Sequence, residues 1–276
     1  MAQYSHARLR RGNESVSRRL AIVTGGSTGI GRHLVTALAS AGYAVAFSYR
    51  ASRSEADTLL DELDAAESPA LAVQCDAGVK AEVESFYAAV DSWHGEAPSL
   101  LVNNAGVQTW APLLDLPEDR WDDVIRSNLK GCFLNTQAAG RLMARSGRGG
   151  AIVNIGSGCN KLAFPRLVDY TASKGGIEQL TKVAAVELGP FGITVNCVAP
   201  GAIATERTVL EAPDYAQRWA AITPLGRVGT PEDVGGVVLF LASPAASFVT
   251  GQTIGVDGGV FTRANWPYAS DPGCRP

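Results

Sequence analysis

Tyr170 and Lys174 carry side chains of the types and at the spacing that acid/base chemistry requires. They are four positions apart, so on a helix they lie on one face. A free phenol is a poor proton donor and acceptor near neutral pH. A neighbouring ammonium helps because it stabilises the phenolate. We therefore predict a tyrosine–lysine pair that exchanges a proton with an oxygen atom of a substrate.

Ser157 lies upstream of this pair, at the end of a short β-rich run that begins at Ala151. A serine at the carboxyl end of a central strand points into the crevice where ligands of such sheets bind. Its hydroxyl can hydrogen-bond a carbonyl oxygen on which negative charge builds. A serine nucleophile is the competing interpretation, but the sequence lacks both GxSxG and a suitably placed histidine. We predict that Ser157 polarises the substrate oxygen.

A glycine-rich turn, TGGSTGIG over residues 24–31, follows the first apolar run. Its glycines, Gly25, Gly29 and Gly31, are spaced as GxxxGxG rather than GxGxxG, and no GKS or GKT follows to make a P-loop. A turn that opens a helix presents unpaired N–H groups and the positive end of the helix dipole. The spacing therefore predicts a pyrophosphate site, with a merely tight turn as the alternative.

Arg50 follows the second predicted strand, and no acidic residue occurs between that strand and Glu55. Dinucleotide-binding folds select their cofactor at this point, where an acid binds the adenosine ribose and a base pairs with the 2′-phosphate of NADP. We predict that Arg50 contacts the 2′-phosphate and that NADP(H) is favoured over NAD(H). A solvated loop arginine is the alternative.

Short apolar strands alternate with segments of helical periodicity along the chain. Strands are predicted near residues 20–23, 44–47, 70–74, 99–103, 151–155, 193–198 and 253–256. Helices are predicted near residues 30–41, 54–66, 79–94, 118–145, 169–188 and 231–243, the last starting at Thr230-Pro231-Glu232-Asp233. Parallel strands need crossover connections, and helices supply them. The pattern predicts one α/β domain over residues 20–260, a Rossmann-type, doubly wound, seven-stranded parallel sheet with helices on both faces.

Composition and charge narrow the possible partners. The chain is 46% apolar and 18% charged, an ordinary globular balance, and its 30 glycines exceed average usage. A net charge of −3 argues against nucleic acid, and no apolar run is long enough for a membrane span. Residues 1–19 carry five arginines and one acid, and we predict a disordered basic leader there. Residues 261–276 are predicted to be a tail whose Phe261, Trp266 and Tyr268 pack on the same or a neighbouring subunit.

Cysteine and histidine usage predicts a reduced compartment and no metal. The five cysteines form no CxxC pair, and the three histidines form no HExxH motif. A cytoplasmic location fits this usage.

Several ordered motifs resemble those of the short-chain dehydrogenase/reductases, in their compact branch, over about residues 19–260. They are TGGSTGIG at 24–31, Asn103-Asn-Ala-Gly106, the set Asn128, Ser157, Tyr170 and Lys174, Pro200-Gly-Ala-Ile-Ala-Thr205, Gly251-Gln252 and Asp257-Gly-Gly259. The resemblance implies hydride transfer between a nicotinamide and a carbonyl or carbinol carbon. It also implies that Asn128 supports a water relay to Lys174, and that Lys174 holds the nicotinamide ribose.

The resemblance further implies a set of cofactor-binding positions. They are Gly25, Ser27, Thr28, Gly29, Ile30, Gly31, Arg50, Asp76, Ala77, Asn104, Ala105, Gly106, Tyr170, Lys174, Pro200, Gly201, Ile203 and Thr205.

The resemblance implies that three segments determine substrate selectivity: residues 108–110, 158–160 and 206–215. The pattern most resembles 3-oxoacyl-acyl-carrier-protein reductases, with sugar and glucose 1-dehydrogenases as near neighbours. Trp110 beside Gln108 and Asn160 would suit a polyol or a ketone of mixed polarity, or would be surface packing. Cys159 is interpreted as a small buried filler. A cofactor-binding sensor without catalysis is a further alternative. The resemblance implies a homotetramer.

Overall fold

The computed structural model describes residues 8–9 and 18–262. Within them the strands are β1 (Arg8–Leu9), β2 (Leu20–Val23), β3 (Ala44–Tyr49), β4 (Ala70–Gln74), β5 (Leu100–Asn103), β6 (Gly150–Ile155), β7 (Ile193–Pro200) and β8 (Thr253–Val256). The α-helices are α1 (Gly29–Ser40), α2 (Arg53–Ala65), α3 (Lys80–His94), α4 (Glu118–Val124), α5 (Gly131–Ser146), α6 (Val168–Leu188), α7 (Glu206–Glu211), α8 (Tyr215–Ile222) and α9 (Pro231–Leu241).

The sheet has the order β1-β4-β3-β2-β5-β6-β7-β8. Strands β2 to β8 all run parallel, with helices on both faces, so the prediction of a doubly wound seven-stranded parallel sheet is confirmed. Strand β1 adds an antiparallel edge, in which Arg8 pairs with Ala72 and Leu9 with Leu71. Strand β1 lies within the leader predicted for residues 1–19, and the open edge of β4 offers unpaired backbone groups to such an extended segment. Most of the remaining leader lies outside the described residues.

The strands form because their residues are apolar on both faces of the sheet, as a covered parallel sheet requires. In β2, Ala21 and Val23 face the side packed by α1, α2 and α9, whereas Leu20 and Ile22 face the side packed by α3 and α5. All four side chains are buried. This two-sided packing fixes the register of the sheet, and with it the edge at which the loops meet.

The helix predicted over 118–145 is not continuous. A π-helical turn, Ile125–Lys130, separates α4 from α5. Such turns insert an extra residue in a helix and are frequent at functional sites. Here the turn buries Ser127 and Asn128, whose polar side chains bond to other segments. Helical periodicity in the sequence did not indicate this interruption.

A buried polar chain fixes α6 on the sheet. Asn103, at the end of β5, donates to Oδ1 of Asn154 on β6 at 2.8 Å. Asn154 in turn donates to Oγ1 of Thr181 on α6 at 2.9 Å. Buried amides need such partners, so the chain holds α6 in one position against β5 and β6. Within the described residues, none of the helices combines the length and apolarity that crossing a membrane requires.

Candidate active site

A cleft of about 890 Å³ runs along the carboxyl ends of the parallel strands. Every position that the sequence predicted to bind cofactor lines this cleft: Gly25, Ser27, Thr28, Gly29, Ile30, Gly31, Arg50, Asp76, Ala77, Asn104, Ala105, Gly106, Tyr170, Lys174, Pro200, Gly201, Ile203 and Thr205. Ser157 lines it as well. The structure thus brings residues from widely separated loops to one crevice.

The glycine-rich turn lies between β2 and the N-terminus of α1 and is held by the loop after β5. The side chain of Asn104 donates to the carbonyl oxygens of Thr24 and Gly25 at 3.0 and 2.9 Å. A Cβ atom at Gly31 would lie 2.0 Å from the oxygen of Gly25, so no side chain fits there. Gly25 has a φ of +65°, which favours glycine. These residues therefore form a bare backbone cradle at a helix N-terminus.

This cradle fits a dinucleotide. Residues without side chains let a pyrophosphate approach the backbone, and the start of α1 presents N–H groups and the positive end of a helix dipole. Ser27 and Thr28 line the same stretch of the cleft. The geometry supports the predicted pyrophosphate position.

Four linked charges lie at and behind the end of the cleft that Arg50 and Asp76 line. Arg50 lies 3.4 Å from both Oδ1 of Asp123 and Oγ of Ser127. Arg126 bonds Asp123 at 2.5 Å and Asp76 at 2.6 Å. Partial burial alone would raise the pKa of Asp76, but hydrogen bonds from Arg126 and from the Gly78 N–H hold it below its usual value. One cation and one anion of this network, Arg50 and Asp76, therefore line the cleft where the 2′-phosphate is predicted, and Asp123 and Arg126 link them from behind.

The sequence did not predict three residues of this network, Asp123, Arg126 and Ser127, as site residues. A signal was present, since Asp123 and Arg126 are three positions apart in a helical segment and can pair on one face. The contact of Asp123 with Arg50 joins distant positions in the chain, and only the tertiary fold creates it.

Tyr170 and Lys174 lie on the first turns of α6, as predicted. Lys174 is 4% exposed, and its Nζ donates to the carbonyl oxygen of Ile155 at 2.7 Å. The same Nζ lies 5.4 Å from the ring centroid of Tyr170. The end of β6 therefore holds the ammonium beside the phenol, within the cleft.

Asn128 stands behind this pair rather than on the cleft wall. It is 1% exposed, accepts the N–H of Val107 at 2.8 Å and donates to the carbonyl oxygen of Val107 at 2.9 Å. It also donates to Oγ of Ser173 at 3.0 Å. A Cβ atom at Gly106 would lie 3.3 Å from Oδ1 of Asn128 and 3.8 Å from Nζ of Lys174, so Gly106 separates the two groups. Asn128 thus joins the loop after β5 to α6.

The turn after β6 positions Ser157. Its Oγ accepts the N–H of Cys159 at 3.3 Å, and its own N–H donates to Oδ1 of Asn160 at 3.0 Å. Asn160 also lies 3.5 Å from Sγ of Cys197 and is not among the residues that line the cleft. The structure therefore does not bring Asn160 to the cleft with Gln108 and Trp110, because its amide is used inside the protein.

Cys159 lines the cleft next to Ser157 and is buried. Burial raises the pKa of its thiol, against hydrogen bonds from Ser157 and Thr171 and the charge of Lys174. This environment supports the interpretation of Cys159 as a small buried filler rather than a thiolate.

Aromatic side chains line the other end of the cleft, beyond Ser157 and Tyr170. They are Phe164, Tyr215, Trp219 and Phe261, with Trp110 57% exposed. The sequence did not predict Phe164, which lies in an irregular segment, or Trp219, which lies in the short helix α8 that the sequence did not predict. Phe261, in the predicted tail, packs against Phe164 and Trp219 of its own chain. Trp266 and Tyr268 lie outside the described residues.

No group of three or more His, Cys, Asp or Glu side chains in the described part of the chain is placed to hold a metal ion.

Comparisons with known proteins agree with this geometry. The family model described as Enoyl-(Acyl carrier protein) reductase matches residues 25–261. The 3-oxoacyl-(acyl-carrier-protein) reductase FabG of Staphylococcus aureus is 40% identical over 241 residues, which cover 87% of this chain and 97% of that protein. The solved gluconate 5-dehydrogenase from Burkholderia cenocepacia, in complex with NADP and tartrate, is 35% identical with a TM-score of 0.83, covering 90% of this chain and 97% of that one. A short-chain type dehydrogenase/reductase from Mycobacterium marinum is 36% identical with a TM-score of 0.83, covering 88% and 95%.

Proposed function

The chain belongs to the short-chain dehydrogenase/reductase family, and from this premise we propose that it reduces a ketone, or oxidises the matching secondary alcohol, with NADP(H). It is an oxidoreductase of CH–OH and C=O groups, and its cofactor is a nicotinamide dinucleotide. The observation that carries the proposal is the placement of Ser157, Tyr170 and Lys174 on one cleft wall, beside the glycine cradle.

Ser157 and Tyr170 act on the substrate oxygen. The Ser157 hydroxyl donates a hydrogen bond to the carbonyl oxygen, where negative charge builds during reduction. The Tyr170 hydroxyl donates its proton to that oxygen, and it takes the proton back when the alcohol is oxidised. A nicotinamide held beside the Lys174 side chain would supply or accept the hydride at the carbon.

Lys174 and Asn128 support Tyr170. The Nζ of Lys174 is fixed by the Ile155 carbonyl, and its charge stabilises the phenolate that remains after proton transfer. Asn128 holds the loop after β5 against Ser173 on α6, and so keeps Gly106 beside Lys174. We assign Asn128 a positioning role.

The preference for NADP(H) rests on Arg50. Its guanidinium lines the adenosine end of the cleft, where a 2′-phosphate would be bound. The Burkholderia cenocepacia relative was solved with NADP, which supports the same choice.

For the substrate, the Staphylococcus aureus relative favours a 3-oxoacyl compound, and the gluconate 5-dehydrogenase favours a sugar or polyol. We place the 3-oxo compounds first. A polyol needs several side-chain hydrogen bonds, and Asn160 does not supply the one that the sequence suggested.

We also propose a homotetramer in the cytoplasm. Apolar side chains stay exposed on α6, where Val186 is 77% exposed, and near the C-terminal strand, where Phe248 is fully exposed. Such surfaces support association. The buried free thiols of Cys75, Cys132 and Cys159 support a reducing compartment.

The test is a panel of ketones with the purified protein, followed by the loss of NADPH absorbance. Activity with at least one ketone, abolished by Tyr170→Phe but with NADPH binding retained, is the expected result. A wild-type protein that binds NADPH and reduces none of the acyl, sugar, steroid and quinone substrates would favour the non-catalytic sensor instead.

A further inference from the structure

Four aromatic rings form a continuous wall at the substrate end of the cleft. The ring of Phe261 meets Phe164 edge-to-face at 5.5 Å and 87°, and Trp219 at 6.5 Å and 81°. Trp219 meets Tyr215 at 6.2 Å and 51°. These separations lie in the range in which aromatic pairs attract each other. We call this set, Phe164, Tyr215, Trp219 and Phe261, the ring wall.

Phe261 is the centre of the ring wall, and its backbone is fixed. The carboxylate of Asp257 accepts the N–H groups of Gly259 and Phe261 at 2.8 and 3.3 Å. A Cβ atom at Gly158 would lie 2.0 Å from Cε2 of Phe261, so the ring packs directly on the backbone of the residue after Ser157. The ring wall therefore begins one residue from the hydroxyl that polarises the substrate oxygen.

Tyr215 extends the ring wall toward Tyr170. Burial raises the pKa of the Tyr215 phenol, against a hydrogen bond with the Ile203 backbone, and the neighbouring Tyr170 raises it further. Tyr215 therefore presents a neutral ring to the cleft rather than a second base.

Three polar side chains near this end bond within the protein. Asn160 bonds to the Ser157 N–H. Thr205 and Thr208 bond to each other and to each other's backbone at the start of α7. Gln108, Glu206 and Arg207 also line the cleft. A polyhydroxylated substrate needs many partners at once, whereas a flat ring needs apolar faces and edges.

We propose that the ring wall selects a 3-oxo substrate whose ketone bears an aromatic ring, with Phe261 as the residue that determines this specificity. The inference rests on the proposed ketone reduction at Ser157 and Tyr170. It names the class of substituent that lies beside the reacting carbonyl.

A matched pair of substrates tests the proposal. Ethyl benzoylacetate and ethyl acetoacetate share the 3-oxo ester and differ in a phenyl against a methyl group on the ketone. We expect the wild-type protein to have a kcat/KM at least about tenfold higher for the phenyl compound, which one buried ring accounts for. A polyhydroxy keto acid such as 5-ketogluconate should be poorer than both.

Two variants locate the preference. Phe261→Ala should remove most of the phenyl advantage, so that the ratio of kcat/KM for ethyl benzoylacetate to that for ethyl acetoacetate falls toward one. Phe261→Leu keeps apolar bulk without a ring and guards against misfolding in the alanine variant. Phe191→Ala, at a 52% exposed phenyl outside the cleft lining, is the matched control and should leave the ratio unchanged.

Binding separates this proposal from the proposed function. Calorimetry with 1-phenylethanol and the Tyr170→Phe protein loaded with NADP should show a Kd that Phe261→Ala weakens by about tenfold. Equal kcat/KM for the two esters, a preference for 5-ketogluconate, or phenylethanol binding unaffected by Phe261→Ala would each overturn the ring proposal. If no ketone is reduced but phenylethanol binding still depends on Phe261, the ring wall stands and the proposed reaction fails.

Discussion

The guanidinium of Arg50 lies 3.4 Å from Oδ1 of Asp123, so the cation assigned to a 2′-phosphate already faces an anion. Asp123 is shared with Arg126, which also bonds Asp76. The four side chains have no net charge, whereas a phosphate dianion binds better where positive charge is in excess. We therefore expect Asp123 to weaken the discrimination between NADPH and NADH that is assigned to Arg50.

Asp123→Asn should strengthen NADPH binding. Removing the carboxylate frees Arg50 and removes repulsion of the phosphate, and a partly exposed charge of this kind changes Kd by about fivefold. NADH, which lacks the phosphate, should bind almost unchanged. Fluorescence titration of each reduced cofactor measures both Kd values.

Asp122→Asn is the matched control, because Asp122 lies in the same helix and is exposed. It should change neither Kd. Equal weakening of NADPH and NADH by Asp123→Asn would mean that Asp123 only holds Arg126 in place. Arg50→Asp should weaken NADPH more than NADH, and an equal loss would remove Arg50 from the cofactor assignment.

Gly31→Ala should destabilise the protein and impair cofactor binding. The added Cβ would lie 2.0 Å from the Gly25 oxygen and 2.5 Å from Nδ2 of Asn104, so the cradle must shift. Overpacking of this kind costs about 1–3 kcal/mol in unfolding free energy. Urea unfolding and NADPH titration measure the two effects.

Gly236→Ala provides the opposite control. Gly236 lies in α9, and a Cβ there meets nothing within 4 Å. The substitution should stabilise the protein by about 0.5–1 kcal/mol, because alanine favours helix. A loss of stability equal to that of Gly31→Ala would show that the clash in the cradle is not the cause.

Asp233→Asn should destabilise the start of α9 by about 1 kcal/mol at neutral pH. The carboxylate accepts the Thr230 N–H at 2.7 Å and pairs with Arg227 at 2.7 and 2.8 Å. The hydrogen bonds from Arg227 and then from Thr230 lower the pKa of Asp233. Its contribution to stability is thus complete above the unfolded pKa, about 4, and is lost as pH falls through the lower folded value.

The difference in unfolding free energy between wild type and Asp233→Asn should therefore shrink when urea unfolding is repeated at about pH 2 rather than pH 7. A difference that stays constant over this interval would show that the charge of Asp233 does not contribute.

Local sequence determined the elements and the chemistry of the site. Apolar runs such as Leu20 to Val23 predicted strands within a few residues of their observed bounds, because a covered parallel strand must be apolar on both faces. The start of α9 at Thr230-Pro231-Glu232-Asp233 was also predicted, since capping depends on adjacent residues. Tyr170 and Lys174 share a helix, so their spacing alone predicted their proximity.

Tertiary structure decided what depends on contacts between distant segments. The sequence placed Arg50 at the adenosine end, but only the fold brings Asp123 to it. It placed Asn160 in a substrate segment, and the fold turned its amide to the Ser157 N–H instead. Phe261 meets Gly158 because the end of β8 returns to the turn after β6. Periodicity and residue spacing reveal which residues are neighbours along one helix or strand. These contacts instead join residues far apart in the chain, whose separation follows no pattern. Only the assembly of the sheet brings them together.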